Sequence, residues 1–526
     1  MSEPPNAEGA LAISRSSGFL RSENLLLLSL TLIKLIFHLV TNAGGGYGYF
    51  RDELYYLACS EHLDLGYVDQ PPLSIYILSV SRFLFGDSIF ALRFLPAVAG
   101  AATVFLTGLI ARRLGGGRTA QAIAALASIV SLIYLGMNSV YSMNSFDILL
   151  WTSALYMLIR ILQTNDTRYW LLLGLVLGLG LLNKINVLWL GFGIFVSLLL
   201  TEQRRWIETR WPWLAGATAL FFFLPFIIWN LTHDLAHVEF IKNAVADKYS
   251  GLSPLDFVAG QLLLQNPLTL PLWLTGITAL FLLKDFARFR LLGYAYIVIF
   301  LVLLLNQHTK AEYFSPIYGM LFAAGGVVFE RFASRPSRVW IKPAYIVVLG
   351  LSGIILAPVV LPILPVETYI RYADALGIAP STSENKELDK LPQFYADMFG
   401  WEEKAAAVAR VYDILSAEDK AKCAIFADNY GRCAAIDFFG RRYGLPKSVG
   451  RHNSYWIWGP RGYTGELVII LGGALEDKQQ KFESVEVAGV ATCVYCMPYE
   501  NNLRVYLCRG LKVPLPDLWP QLKAYQ

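Results

Sequence analysis

Charge is scarce in this chain: 16% of its 526 residues are Asp, Glu, Lys or Arg, against 55% hydrophobic, and the mean hydropathy is +0.46. So few charges argue against a soluble protein and for a polytopic membrane protein. The chain also lacks a basic tract or a basic patch interleaved with aromatics, and its net charge is only +4. Nothing in it is built to grip a phosphate backbone, so nucleic acid is not expected as a partner. No small-residue cleavage site follows the first apolar run, which therefore reads as a retained anchor. There is no obvious internal repeat, the feature that often marks transporters.

What is present in abundance is apolar sequence in runs near membrane length, since about 20 residues cross about 30 Å of hydrocarbon. Candidate spans fall at roughly 23–41, 90–111, 119–137, 146–162, 168–183, 186–201, 212–230, 267–284, 291–306, 313–330 and 342–362, which makes about 11. One set of loops is rich in Arg, from Arg15 and Arg21 through Arg112, Arg113, Arg204, Arg205, Arg288 and Arg335. The opposite set carries only Arg51, Arg82, Lys184, Lys242, Lys248 and Lys310. The positive-inside bias then predicts a cytoplasmic N-terminus over 1–22 and a membrane domain over 23–364 with a first outer loop at 42–89. An extracytoplasmic soluble domain over 365–526 completes a multi-pass protein of the inner or plasma membrane.

The first outer loop draws attention. Arg51-Asp52-Glu53 opens the stretch Phe50–Leu73, Asp69-Gln70-Pro71-Pro72 closes it, and apolar residues between them suit a short amphipathic helix at the membrane surface. The two prolines stiffen the step that holds Asp69 and Gln70. An ordinary solvated loop is the alternative. Topology places further polar groups on the same side: Asn144 and Asp147, Asn183, Lys184 and Asn186, then His233, His237, Lys242 and Lys248, and finally Gln307, His308, Lys310, Glu312 and Tyr313. Ionisable groups at membrane depth are costly unless they line a cavity. Singly, Asp147 can be a helix cap and Lys184 can snorkel to headgroups. Together, acidic and basic groups suit a reaction in which a carboxylate takes a proton from a hydroxyl while cations stabilise a departing phosphate.

After about Pro365 the apolar runs shorten. Cys423–Asp428, Glu466–Leu471 and Leu503–Cys508 read as strands, and Arg432–Tyr443 as a helix stopped by Gly444. A small α/β or α+β domain is expected. Five of the six cysteines lie here, and Cys493 or Cys496 with Cys508 is a candidate disulfide in an oxidising compartment.

The acidic pair after the first span, the acidic-x-Pro-Pro-Leu step, Phe85-Gly86 with Ala91-Leu92-Arg93, Asn144-Ser-Phe-Asp147, Leu182-Asn183-Lys184 and Lys310-Ala-Glu-Tyr313-Phe-Ser-Pro316 occur in that order. Together, over residues 20 to 335, they resemble the GT-C membrane glycosyltransferases of the protein O-mannosyltransferase type, which include the bacterial lipid A aminoarabinose transferases. The resemblance implies transfer of a monosaccharide from a polyprenyl phosphate donor, within the lipid bilayer, to an envelope acceptor that is a glycan, lipid or protein. It maps the catalytic carboxylate to Asp52, with Glu53 beside it and Asp69 as a carboxylate that in those enzymes can bind a metal. Gln70 stands where the aminoarabinose enzymes have lysine, which removes one cation. Arg51, Lys184, Lys310 and Tyr313 would hold the donor phosphate, and Gln70, Asn144 and Asp147 the substrate.

Tyr455 and Trp456, in Arg451–Pro460, resemble a stretch of bacterial relatives whose aromatics would stack on a sugar; a packed core accounts for the tryptophans equally. A divalent ion on Asp69 with His233 or His237 is a further expectation, because carboxylate and imidazole suit zinc or manganese. Two rival readings stay open: a flippase or transporter with the same charges along a translocation path, and an assembly module whose tail recruits partners.

Overall fold

The structure is a computed structural model that describes residues 22–44, 46–248, 253–306, 309–382, 384 and 386–526. Arg15, Arg21, Gln307 and His308 lie outside the described residues. Helices dominate. The first apolar run forms α1 (Ser22–Ala43), the first outer loop carries α2 (Arg51–Cys59) and α3 (Leu73–Phe85), and α4 (Ile89–Arg113) returns. Then come α5 (Arg118–Val130), α6 (Leu132–Met137), α7 (Met143–Thr164), α8 (Arg168–Asn183), α9 (Val187–Leu200), α10 (Trp211–Thr232) and α11 (Ala236–Asp247). The membrane part ends with α12 (Pro254–Leu264), α13 (Leu270–Leu282), α14 (Arg290–Leu305), α15 (Tyr318–Phe332) and α16 (Ile341–Val360).

Among the described residues six helices are long and apolar enough to cross a bilayer: Asn24–Ala43, Ile89–Arg113, Met143–Thr164, Trp211–Thr232, Lys284–Leu305 and Pro336–Val360. The other apolar runs are helical but shorter. The expected span at 119–137 is broken at Ser131, whose ψ of 121° is extended and whose hydroxyl donates to Gln265 Oε1 at 3.0 Å. Beyond the break, the carbonyls of Tyr134 and Leu135 meet Lys34 Nζ and His38 Nε2 of α1 at 3.3 and 3.2 Å. Two polar side chains of α1 are satisfied inside the bundle in this way. Close helix packing relies on small residues: a Cβ at Gly174 of α8 would come within 2.5 Å of the Ala215 carbonyl oxygen of α10.

The tail forms one five-stranded sheet in the order β2-β1-β3-β5-β4. Its strands are β1 (Cys423–Ala427), β2 (Val449–Gly450), β3 (Leu467–Leu471), β4 (Phe482–Ala491) and β5 (Leu503–Leu511). β1 runs parallel to β2 and β3, with Cys423 opposite Leu467 and Ala427 opposite Leu471, whereas β5 is antiparallel to β3 and β4. Alternation sorts the side chains. Ile425, Ala427, Ile469 and Leu471 pack into one apolar core with the helices Trp401–Asp413 and Tyr430–Phe439, and that core also takes in Leu54 to Cys59 of α2. Ala424, Val468 and Ile470 face the other way.

Two expectations are corrected. The helix of the first outer loop does not lie on a membrane surface: Glu53 through Cys59 are all buried, because α2 is held between the membrane helices and the sheet domain. All six cysteines are thiols, and Cys508 is buried within β5.

Candidate active site

α2 starts where Phe50 leaves an extended conformation, φ −68° and ψ 145°, with acidic residues in the first turn, where the helix dipole favours them. Its first turn projects Arg51 and Asp52 toward the sheet domain. The Tyr430 hydroxyl donates to Asp52 Oδ1 at 2.8 Å, and Arg51 Nε approaches the same oxygen at 3.4 Å. The Asp52 side chain keeps 36% of its surface exposed, so it faces open space as well as these partners.

Around this carboxylate the cations converge on Glu384. Arg51 Nη2 and Lys310 Nζ each lie 3.9 Å from it. Despite the burial that opposes ionisation, the charges of Arg51, Lys310 and Lys248 depress the Glu384 pKa to about 2. Arg51 also lies 3.5 Å from Asp397, a buried carboxyl pushed up to about 7 chiefly by desolvation and further by Asp52 and Glu384. Asp69 accepts a 3.0 Å hydrogen bond from Tyr55, and burial raises its pKa to about 7, with the neighbouring Asp52 charge acting in the same direction. Lys248 is pulled below the usual ammonium range by desolvation, while Glu384 and Asp52 oppose the shift. Glu384, Asp397 and Lys248 are the members of the cluster that no sequence motif marks.

On the membrane side, α7 and the segment after α8 meet. Lys184 Nζ donates to Asn144 Oδ1 at 2.7 Å, sits 4.0 Å from Asp147 and lies 4.8 Å from the Tyr313 ring centroid. Asn186 donates to Asp147 Oδ2 at 2.7 Å, while Asp147 Oδ1 has no hydrogen-bond partner among the described residues. Lys310 is 3.8 Å from Glu312, so Asn144, Asp147, Lys184, Lys310 and Tyr313 form one polar group beside Arg51 and Asp52. Gln70 is buried at 1% exposure with neither its Oε1 nor its Nε2 paired among the described residues. A buried amide without partners is expensive unless a ligand completes it.

Other expected site residues go elsewhere. Glu53 is fully buried in a bidentate pair with Arg93, 2.8 and 2.7 Å, and also accepts from the backbone of Tyr141 and Phe50. Both its oxygens are used in tying α2 to α4, which corrects its catalytic assignment. Tyr455 is buried at 1% exposure and donates to Asp437, and Trp456 Nε1 donates to the Trp519 carbonyl. Both are packing residues rather than sugar platforms. Of the expected metal set, His237 meets the Val68 carbonyl through Nδ1 and keeps a buried Nε2 without a partner among the described residues, and His233 stacks on Trp229; no three His, Cys, Asp or Glu side chains converge as a metal site among the described residues.

Residues 69–229 match the family described as dolichyl-phosphate-mannose-protein mannosyltransferase. The structure aligns over 95% of this chain with the crystal structure of ArnT from Cupriavidus metallidurans bound to undecaprenyl phosphate, covering 98% of that chain at a TM-score of 0.60 and 12% identity. This chain has the fold of that ArnT structure. Similar curated proteins are the lipid A galacturonosyltransferase RgtD of Rhizobium johnstonii and an undecaprenyl phosphate-alpha-4-amino-4-deoxy-L-arabinose arabinosyl transferase of Pseudomonas aeruginosa. RgtD is 28% identical over 42% of this chain and 47% of its own length. The Pseudomonas enzyme is 32% identical over 32% and 31%. The chain thus spans less than half the length of the curated relatives it matches. The family match begins at Asp69, so it does not cover Arg51 and Asp52.

Proposed function

We propose that the chain is a glycosyltransferase that moves a monosaccharide from a polyprenyl phosphate donor to an envelope acceptor on the outer face of the cytoplasmic membrane. The observation that carries this reading is the partly open Asp52 carboxylate set beside Arg51, Lys310 and Lys248, with Lys184 and Asn144 adjoining. Such a set has a base for a hydroxyl and cations for a phosphate. The names of the relatives agree with it: one acts on lipid A, and the structural neighbour holds undecaprenyl phosphate.

In the proposed reaction the acceptor hydroxyl attacks the anomeric carbon of the donor sugar while Asp52 takes its proton. The bond from that carbon to the phosphate oxygen breaks, and polyprenyl phosphate leaves with the electron pair, its charge held by Arg51, Lys184 and Lys310. A direct displacement inverts the anomeric centre. Phosphate is already a good leaving group, so alignment and charge stabilisation are what the protein supplies. Glu384 holds the cations apart and in place before the donor binds.

Incubation of the purified protein with labelled polyprenyl phosphate sugars in vesicles tests the reading. Release of polyprenyl phosphate together with a glycosylated product supports it. Movement of intact lipid-linked sugar across the vesicle without release would make the chain a flippase.

A further inference from the structure

The sheet domain contains a cavity of ≈ 520 Å³ that reaches from the residues around Asp52 into a part of the domain to which the proposed reaction assigns no role. Its location follows from topology. β2 and β3 flank β1 on opposite sides and all three run parallel, so the chain order reverses at β1. In open α/β sheets ligands bind outside the carboxyl ends of the strands at such a reversal. The segments that leave those ends are Asp428-Asn429 after β1, Arg451-His452 after β2 and Gly472-Gly473 after β3, and all but Gly472 line the cavity. Gly472 and Gly473 have φ of +85° and +81°, and a Cβ on Gly473 would meet Lys478 Nζ at 2.6 Å. At this positive φ glycine is the unstrained residue, and it leaves room for Lys478 Nζ beside the strand end.

The cavity has two chemically different parts. Its floor is aliphatic and aromatic: Phe426, Val468 and Ile470 from the sheet, and Leu515 and Leu518 from the C-terminal turn. Its mouth carries Lys386, Arg451, Lys478 and Lys481 against Asp428 and Asp477. Arg451, Lys386 and Lys481 have no carboxylate at ion-pair distance among the described residues, whereas the nearby Arg432 is already held by Glu500 at 2.9 Å. One end of the cavity is walled by Arg51, Lys248, Glu384 and Tyr430, the residues that surround Asp52.

The geometry points to a binding site for an anionic amphiphile, with its hydrocarbon on Phe426, Val468 and Ile470 and its anionic head between Arg451 and Lys386. Because the cavity opens beside Asp52, the bound amphiphile is the acceptor, an assignment that rests on the glycosyltransferase reading. Aliphatic walls suit hydrocarbon better than a bare sugar, and uncompensated cations at the mouth select a phosphate or carboxylate. The volume is that of a site for a small ligand or for one arm of a larger one.

Titration calorimetry on the full chain in phosphatidylcholine nanodiscs tests the site with octyl phosphate, octanol and inorganic phosphate as probes. Octyl phosphate should bind at least about tenfold tighter than either half alone. The double variant Arg451→Glu with Lys386→Glu should weaken octyl phosphate about tenfold or more and leave octanol unchanged, as expected for loss of charge-assisted contacts. Lys386 is exposed, so Lys386→Glu alone supplies a variant that keeps the fold and should show part of the loss. With undecaprenyl phosphate in excess to fill the donor site, Lys184→Met, which alters that site, should leave octyl phosphate binding unchanged. Octyl phosphate binding that responds to Lys184→Met but not to the double variant would overturn the site, as would equal affinity for octanol. Binding that responds to the double variant in a chain that transfers no sugar would keep the site and refute the glycosyltransferase reading.

Discussion

The hydroxyl of Tyr430, in the first turn of a helix of the sheet domain, donates a 2.8 Å hydrogen bond to Oδ1 of Asp52, at the start of the first outer-loop helix. The two residues are separated by nearly the whole membrane domain in sequence, so the tail is a wall of the candidate site. Tyr430→Phe should lower kcat for sugar transfer by roughly 10- to 100-fold, the range expected for one hydrogen bond to a charged group. Yield and melting temperature should stay near wild type, since the ring remains packed on Tyr55 at 4.7 Å.

Glu53 and Arg93 give the opposite pattern. Glu53→Gln removes the charge from a fully buried pair and leaves Arg93 uncompensated, a loss of about 3–5 kcal/mol. The variant should therefore fail to accumulate or should melt well below wild type in detergent. Normal folding with loss of transfer alone would instead give Glu53 a chemical role.

Lys310 and Lys184 should act on the donor. Lys310→Met should lower kcat/KM for the lipid-linked sugar by on the order of 10², the scale of removing one preorganised charge from a developing anion. Lys310→Arg should recover part of it. Steady-state kinetics with varied donor check this.

Asp69 and Asp397 predict a pH dependence of stability. Both have native pKa values raised from 3.8 to about 7 by burial. Between those limits the unfolded chain releases a proton that the native protein keeps, so stability falls as pH rises from about 4 to 7 and levels off above. Glu384 acts at the acid end: depressed to about 2, it costs stability as pH falls from its ordinary 4.5 toward 2. Asp69→Asn should flatten the neutral limb and raise stability at pH 7 by on the order of 1–4 kcal/mol. Melting temperatures across pH 4–8 measure this.

The apolar runs that form the membrane helices were readable because their composition alone demands burial, and β1, β3 and β5 because their alternation and flanking turns are clear. β2 has only two residues, and β4, FESVEVAGVA, exposes much of its length and alternates weakly, so neither carried a signal. The break at Ser131 is a tertiary effect, accompanied by a hydrogen bond to Gln265 just past the end of α12. In the site, Asn144, Asp147, Lys184 and Lys310 were legible because the expected sidedness groups them and because each falls in a motif of the family resemblance. Glu384 and Asp397 come from an irregular segment after the last span, where no periodicity or motif distinguishes one carboxylate from another. Glu53 was misread because its partner Arg93 sits on the next long helix, and only the fold shows that the pair is closed. For the motif of Tyr455 and Trp456 a sugar platform and a packed core stood side by side, and the two polar atoms go to Asp437 and to the Trp519 carbonyl.

The central claim is that Asp52 accepts the proton of the acceptor hydroxyl, and transfer by Asp52→Asn measures it most directly. With a labelled polyprenyl phosphate sugar and envelope extract as acceptor, the variant should insert, fold and bind donor as wild type does. Its turnover should fall by about 10²–10⁴-fold, the usual worth of a general base. Transfer at the wild-type rate by a folded Asp52→Asn protein would contradict the account.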